Sequence, residues 1–245
     1  MPEVTVVMPE NNINILVENI HLNNIHSENN SQNNEVKKKK IANYRKKDKK
    51  LTSEEIEERN KNTLSFINSF IAKLGGKDNF NKNPNGVAFI IIKGSYIQLV
   101  VNKVKYRNKG RYLDRSLQNP GGHIDRGENY FQAAMRELEE ETVKCIPRNE
   151  KKYYGFPELK FVNEFRDNDT NSIIFIAKTK SNLYKGATDR FEQEVDEIIL
   201  APLKDVYESL KYEQPLYGLD WRGCSKKSLL KMWPVIKLYQ DLIIE

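Results

Sequence analysis

The chain has 245 residues, 38% of them hydrophobic and 30% charged, with a formal net charge of +6. That length suits one substantial domain with extensions, or two small domains. The absence of any run of 18 or more apolar residues argues against a membrane-spanning helix, and the Asn-bearing, acidic start lacks the basic and apolar blocks of a signal peptide. Two distant cysteines, Cys145 and Cys224, make neither a disulfide framework nor a zinc site, so reduced thiols in an intracellular, cytoplasmic protein are expected.

The charge is unevenly placed. Residues 35–50, "EVKKKKIANYRKKDKK", hold nine lysines and arginines against two acids, which gives +7 there and leaves about −1 for the rest. Ten asparagines fall between Asn11 and Asn34. Such a polar tract cannot bury enough apolar surface to offset its ordering entropy, so residues 1–50 are read as a disordered Asn-rich and basic arm. The basic run fits a solubilising tail, a nuclear targeting signal or an electrostatic arm for nucleic acid.

From residue 51 the pattern changes. "LTSEEIEERNKNTLSFINSFIAKLGG" predicts a helix, capped by Thr52 or Ser53 and stopped at Gly75–Gly76; it forms a helical extension over 51–84. The segment "GVAFIIIKGSYIQLVV" predicts a hairpin turning at Lys93-Gly94-Ser95. In "NKVKYRNKGRYLDR" the alternating Lys103, Lys105, Arg107, Lys109 and Arg111 would share one face of an extended chain, with Tyr106 and Tyr112 between them. Further strands are read in "ELKFVNEF", "NSIIFIAKTK" and "EIILAPL", and helices in "LKDVYESL" and the C-terminal segment, with a kink or restart expected at Pro234. Mixed strands and helices over 85–245 predict an α+β domain, layered α/β/α around a mixed sheet with extra flanking helices.

The stretch "NPGGHIDRGENYFQAAMRELEEETV", Asn119 to Val143, stands apart. A glycine pair breaks regular structure, and from Asn129 the apolar Phe131, Ala134, Met135 and Leu138 recur at helical spacing. Glu137 and Glu141 are four apart and share a face, with Glu140 beside them. Arg136 is placed to pair with Glu140, and Glu128 sits near the helix start, where the dipole favours an anion. Crowded carboxylates repel, and a hard divalent cation, Mg²⁺ or Mn²⁺, with a phosphate-bearing ligand is what this pattern lacks.

The same residues resemble the Nudix box: Gly, five residues, Glu, seven residues, then Arg-Glu-aliphatic-any-Glu-Glu-any-Gly-aliphatic. Gly122, Glu128, Arg136, Glu137, Leu138, Glu140 and Glu141 fall on their positions. Val143 replaces the late glycine and Lys144 the following aliphatic, so the helix is expected to run on until Pro147 stops it. The looser resemblance spans about 85–210.

The resemblance implies an α/β/α sandwich and hydrolysis of a nucleoside diphosphate linked to another group. It implies that Glu137, Glu140, Glu141 and the Gly122 carbonyl hold the metal, and that Arg136 and Glu128 orient the glutamates. Glu137, Glu192 or Glu194 is the expected general base; His123, after the metal-site glycine, reads as an exposed loop residue. For substrate, six lysines and arginines against one acid over 103–115 suit a polyanion, with Lys103, Lys105, Arg107 and Arg111 as binding residues, and tyrosines among them suit stacked bases. An edge strand protected by lysines has the same pattern. With the arm, the expectation tilts toward capped mRNA. A small nucleotide, sugar nucleotide or diphosphoinositol substrate, or a non-catalytic nucleotide- or RNA-binding module of the same fold, are the alternatives. No membrane partner is expected, and the sequence leaves the oligomeric state open.

Overall fold

The computed structural model describes residues 51–74, 83–103, 115–189 and 194–244. The arm 1–50, most of the basic run over 103–115, and Glu192 lie outside the described residues. Among the described residues no helix is long and apolar enough to cross a membrane.

The first helix, α1 (Ser53–Leu74), begins as the sequence predicts. Thr52 Oγ1 accepts from the Glu55 N–H at 3.2 Å, and Glu55 Oε2 accepts from the Thr52 N–H at 2.8 Å. This reciprocal capping satisfies two backbone donors that the helix itself leaves unpaired. Strands β1 (Gly86–Lys93) and β2 (Tyr96–Asn102) form the expected hairpin, with Lys93 opposite Tyr96 and Gly94 in the left-handed region at φ 58°. There follow β3 (Ser116–Gln118), β4 (Gly121–His123), the helix α2 (Tyr130–Glu139), β5 (Lys160–Asp167), β6 (Ser172–Lys178), β7 (Gly186–Ala187), β8 (Val195–Pro202), α3 (Leu203–Lys211), β9 (Asp220–Trp221) and α4 (Gly223–Asp241).

The strands make one mixed sheet. β1 pairs β6 in parallel along its length, and β2 pairs β8 antiparallel along its own. On their facing edges, β1 and β2 pair only beside the turn. Where they part, β4 pairs β1 at Gly86–Ala88, and β3 pairs β2 at Val100 and Val101. Residues 116–123 therefore occupy a split in the sheet.

Period-two alternation in β1 directs its side chains to two cores. Val87, Phe89 and Ile91 pack with Ala133, Ala134 and Leu138 of α2. Ile90 and Ile92 join Met232, Val235 and Ile236 of α4 on the other face. A third cluster, Val100, Cys145, Ile146, Val195 and Ile198, lies beyond the end of α2. The α/β/α layering is as expected.

Helix α1 shares the α4 core. Ile67 is fully buried there, and Asn60 bonds the backbone of Ile243 in both directions, each at 2.8 Å. Helix α4 runs through Pro234 as one helix, without the restart expected there. Burial of one Ile side chain is worth enough to test whether α1 unfolds with the rest. Ile67→Ala is expected to lower the free energy of unfolding by about 2–4 kcal/mol in one urea transition shared by helical and tryptophan signals; an unchanged main transition would make α1 an independent appendage.

Candidate active site

The site is built on the split strand pair and on α2. At Gly121 a Cβ would fall 2.2 Å from the Val87 carbonyl oxygen and 2.6 Å from the Ala88 Cα, so only glycine lets β4 lie this close to β1. At Gly122 a Cβ would fall 2.4–2.7 Å from the Glu137 carboxylate. The two glycines serve different contacts: Gly121 admits the neighbouring strand, and Gly122 leaves the seat that Glu137 fills. The Gly121 N–H also donates to Glu141 Oε2 at 2.7 Å.

Between β4 and α2 the chain turns through Gly127, at φ 92°. The Asp125 N–H donates to Glu128 Oε2 and the Glu128 N–H to the Asp125 carbonyl, both at 3.1 Å. Asn129 and Gln132 then cap α2 reciprocally. This fixes Glu128 against Arg136. Arg136 Nε donates to Glu128 Oε1 at 2.8 Å and Nη2 to Glu128 Oε2 at 3.0 Å, a two-pronged pairing. Nη1 donates to Glu137 Oε1 at 2.8 Å and Glu140 Oε2 at 3.2 Å, and Nη2 to the His123 carbonyl at 2.9 Å. The Glu128 carboxyl is held below its usual range by the hydrogen bonds from Arg136, and the Arg136 pKa is raised chiefly by Glu128.

The remaining carboxylates are under opposite stress. Burial raises the Glu137 carboxyl; Arg136 opposes this, while Glu140 and Glu194 add to it. Glu141 is 7% exposed. Burial pushes its carboxyl to about 8, against the Gly121 N–H, and the charges of Glu137 and Glu194 push the same way. Glu137 and Glu141 thus both feel neighbouring carboxylate charge, that of Glu194 included, and ionising the two together is unfavourable without a cation. Glu140 is more exposed, and its other oxygen faces Lys144 at 3.8 Å.

Beyond Glu139 the helix does not stop. It widens into a π-helical turn over Glu140–Lys144 and ends at Cys145, two residues before Pro147. Val143 does not enter the left-handed region, so no glycine is required there. Side chains occupy carbonyls in the altered turn: Thr142 Oγ1 donates to the Leu138 carbonyl at 2.6 Å, and Cys145 Sγ to the Glu141 carbonyl at 2.9 Å. Cys145 is fully buried, with its thiol pushed up to about 12 by burial, and serves as a structural donor.

Of the residues expected from sequence, Gly122, Glu128, Arg136, Glu137, Glu140 and Glu141 come together, and Glu194 joins them from the start of β8. The Lys103 N–H donates to the Glu194 carbonyl at 2.7 Å, which places the first residue of the basic run beside this acidic group. Lys105, Arg107 and Arg111 lie outside the described residues. Sequence reasoning missed Gln118, whose Nε2 donates to Glu141 Oε1 at 3.3 Å. Its place just before the Asn119-Pro120-Gly121-Gly122 turn was the available signal.

Residues 82–219, more than half of the chain, match the NUDIX domain family. The chain belongs to that family. Among solved structures it is similar to a NUDIX hydrolase from Nitrosomonas europaea (17% identity, 64% of this chain and 88% of that one, TM-score 0.35). It is similar also to a Bacillus subtilis pyrophosphohydrolase (16%, 64% and 86%, 0.37) and to a C. elegans Ap4A hydrolase (17%, 62% and 97%, 0.36). No curated protein matches.

Among the described residues no three His, Cys, Asp or Glu side chains already surround one point as a ligand shell. The donor set nonetheless fits a hard divalent cation: all are oxygens, Glu141 is buried at a raised pKa, and Gly122 lets the Glu137 carboxylate lie against its strand. Arg136 is central to holding that set. Arg136→Met is expected to destabilise the chain by about 1–3 kcal/mol in urea unfolding, because partly buried Glu128 and Glu137 lose their partner. Arg136→Lys should recover less than half, since an ammonium cannot reproduce the fork; full recovery would show that charge alone matters.

Proposed function

We propose that the protein is a Mg²⁺- or Mn²⁺-dependent hydrolase that cleaves a diphosphate linkage in a nucleoside diphosphate joined to another group, and that its substrate is the 5′ cap of mRNA. The observation that carries the metal-dependent part is the seating of the Glu137 and Glu141 carboxylates against Gly122 and Gly121, both with a raised pKa that a cation would reverse. Glu137, Glu140, Glu141 and the Gly122 carbonyl are the residues that would hold the metal. Bound there, a divalent cation lowers the pKa of water and neutralises phosphate charge.

The chain's own groups supply the rest. Arg136, held two-pronged by Glu128, keeps Glu137 and Glu140 directed along one side of α2. Gly121 steadies Glu141 through its N–H. Glu137 and Glu194 are the candidates to take a proton from an attacking water, with Glu192 a further one. The proposed RNA substrate is supported by sequence charge: six cations against one acid over 103–115, with Lys103, Lys105, Arg107 and Arg111 as backbone contacts, and +7 over 35–50.

Two experiments test this reading. Incubated with cap-labelled RNA and Mg²⁺, the chain is expected to release the cap nucleoside diphosphate, and Glu141→Gln to lose about 100-fold or more of that rate. No release beside an active control enzyme would overturn the cap and return the substrate to small nucleotides or diphosphoinositol phosphates. Deletion of residues 1–50 is expected to weaken RNA binding and flatten its dependence on salt by several charges, while turnover of a small dinucleotide stays unchanged. An unaltered salt slope would remove the arm from the substrate site.

A further inference from the structure

Gln118 stands between the acidic cluster and Arg222. It is 3% exposed, and both ends of its amide are committed. Nε2 donates to Glu141 Oε1 at 3.3 Å. Oε1 accepts from Asn102 Nδ2 at 2.8 Å and from Arg222 Nη1 at 2.5 Å. A side-chain amide can be turned end for end where its partners both donate and accept. Here it cannot, because a guanidinium has donors only. The end of Gln118 that meets Arg222 must be the carbonyl, so the NH₂ end must meet Glu141.

The consequence falls on Glu141. One of its oxygens is held by the Gln118 amide and the other by the Gly121 N–H. Both donors have a fixed direction, one set by pairing with β1 and the other by Arg222. Arg222 is itself well placed to act as an anchor. It follows β9, which pairs β3 in parallel, and its N–H donates to the Leu117 carbonyl at 2.9 Å. Its own carbonyl accepts from the Lys226 N–H at 3.0 Å in the first turn of α4. The guanidinium thus reaches Gln118 from backbone tied to the strand that carries Gln118.

We infer that Arg222, acting through Gln118, is a positioning residue that fixes the Glu141 carboxylate for a divalent cation. The inference rests on the proposed reading of Glu141 as a metal ligand. It differs in sign from a plain charge effect. A nearby positive charge repels a cation, so on charge alone the removal of Arg222 would strengthen metal binding. As the lock on Gln118, its removal weakens binding, because the Gln118 carbonyl is then held only by the Asn102 amide, which can itself turn, and the donor to Glu141 Oε1 loses its fixed direction.

The test is Mn²⁺ binding to the full chain, followed by the electron paramagnetic resonance signal of free Mn²⁺. Arg222→Met is expected to bind Mn²⁺ about tenfold or more weakly than the wild type, the scale on which loss of a ligand's supporting partner acts. Arg222→Lys, which still only donates, is expected to recover part of the loss. Because Arg222 is exposed, the thermal midpoint of both variants should stay near that of the wild type. Gln118→Leu should reproduce the loss, and Arg222→Met added to it should cause no further weakening. Binding by Arg222→Met equal to or tighter than the wild type would overturn the inference alone. A wild-type chain that binds no Mn²⁺ would overturn both the inference and the metal reading beneath it.

Discussion

The fork of Arg136 on Glu128 joins the glycine strand, the turn and the helix into one unit. Glu128 belongs to the turn after β4, Arg136 to the middle of α2, and the His123 carbonyl that shares the guanidinium to β4 itself. With these held together, Glu137 and Glu140 have a common partner and a common direction. The fork also explains how a helix tolerates so many acids. One delocalised cation with five donors distributes itself over three carboxylates and a carbonyl, which a lysine could not do.

The fork does not reach Glu141. That carboxylate is buried behind the helix against Gly121 and Gln118, and its environment favours the neutral form. The packing that anchors α2 on β1 through Ala134 and Leu138 continues into the π-helical turn, where Glu141 is buried. A carboxylate buried in this way is destabilising by itself, and its retention is understandable if a cation supplies the missing charge. Structure and proposed chemistry are thus linked through one free-energy term: the burial that makes α2 a core helix also prepares an acidic group for a metal.

Much of this was legible in the sequence because it is local. The i, i+4 spacing of Glu137 and Glu141, the cap at Thr52 and the hairpin at Gly94 are set by helix and turn geometry over a few residues. The continuation of α2 past Val143 followed from Pro147, although the π-helical form of that turn did not. What stayed hidden depends on pairing across long separations. The parallel pairing of β1 with β6, the Asn60–Ile243 link and the meeting of Gln118 with Arg222 join residues tens to hundreds of positions apart, and no periodicity encodes them. The split between β1 and β2 is of the same kind. Each strand reads as a strand, but only the whole sheet shows that residues 116–123 fill the gap.

The central claim is that Glu137 and Glu141 share one divalent cation. The most direct measurement is Mg²⁺ titration of the full chain with the glutamate side-chain carboxyl ¹³C resonances observed by NMR. The account predicts that Glu137 and Glu141 shift together along one saturable curve while Glu55 and Glu208, on remote helices, stay in place. Shifts that are absent, or that are spread equally over all exposed acids, would contradict it and leave the acidic helix without its cation.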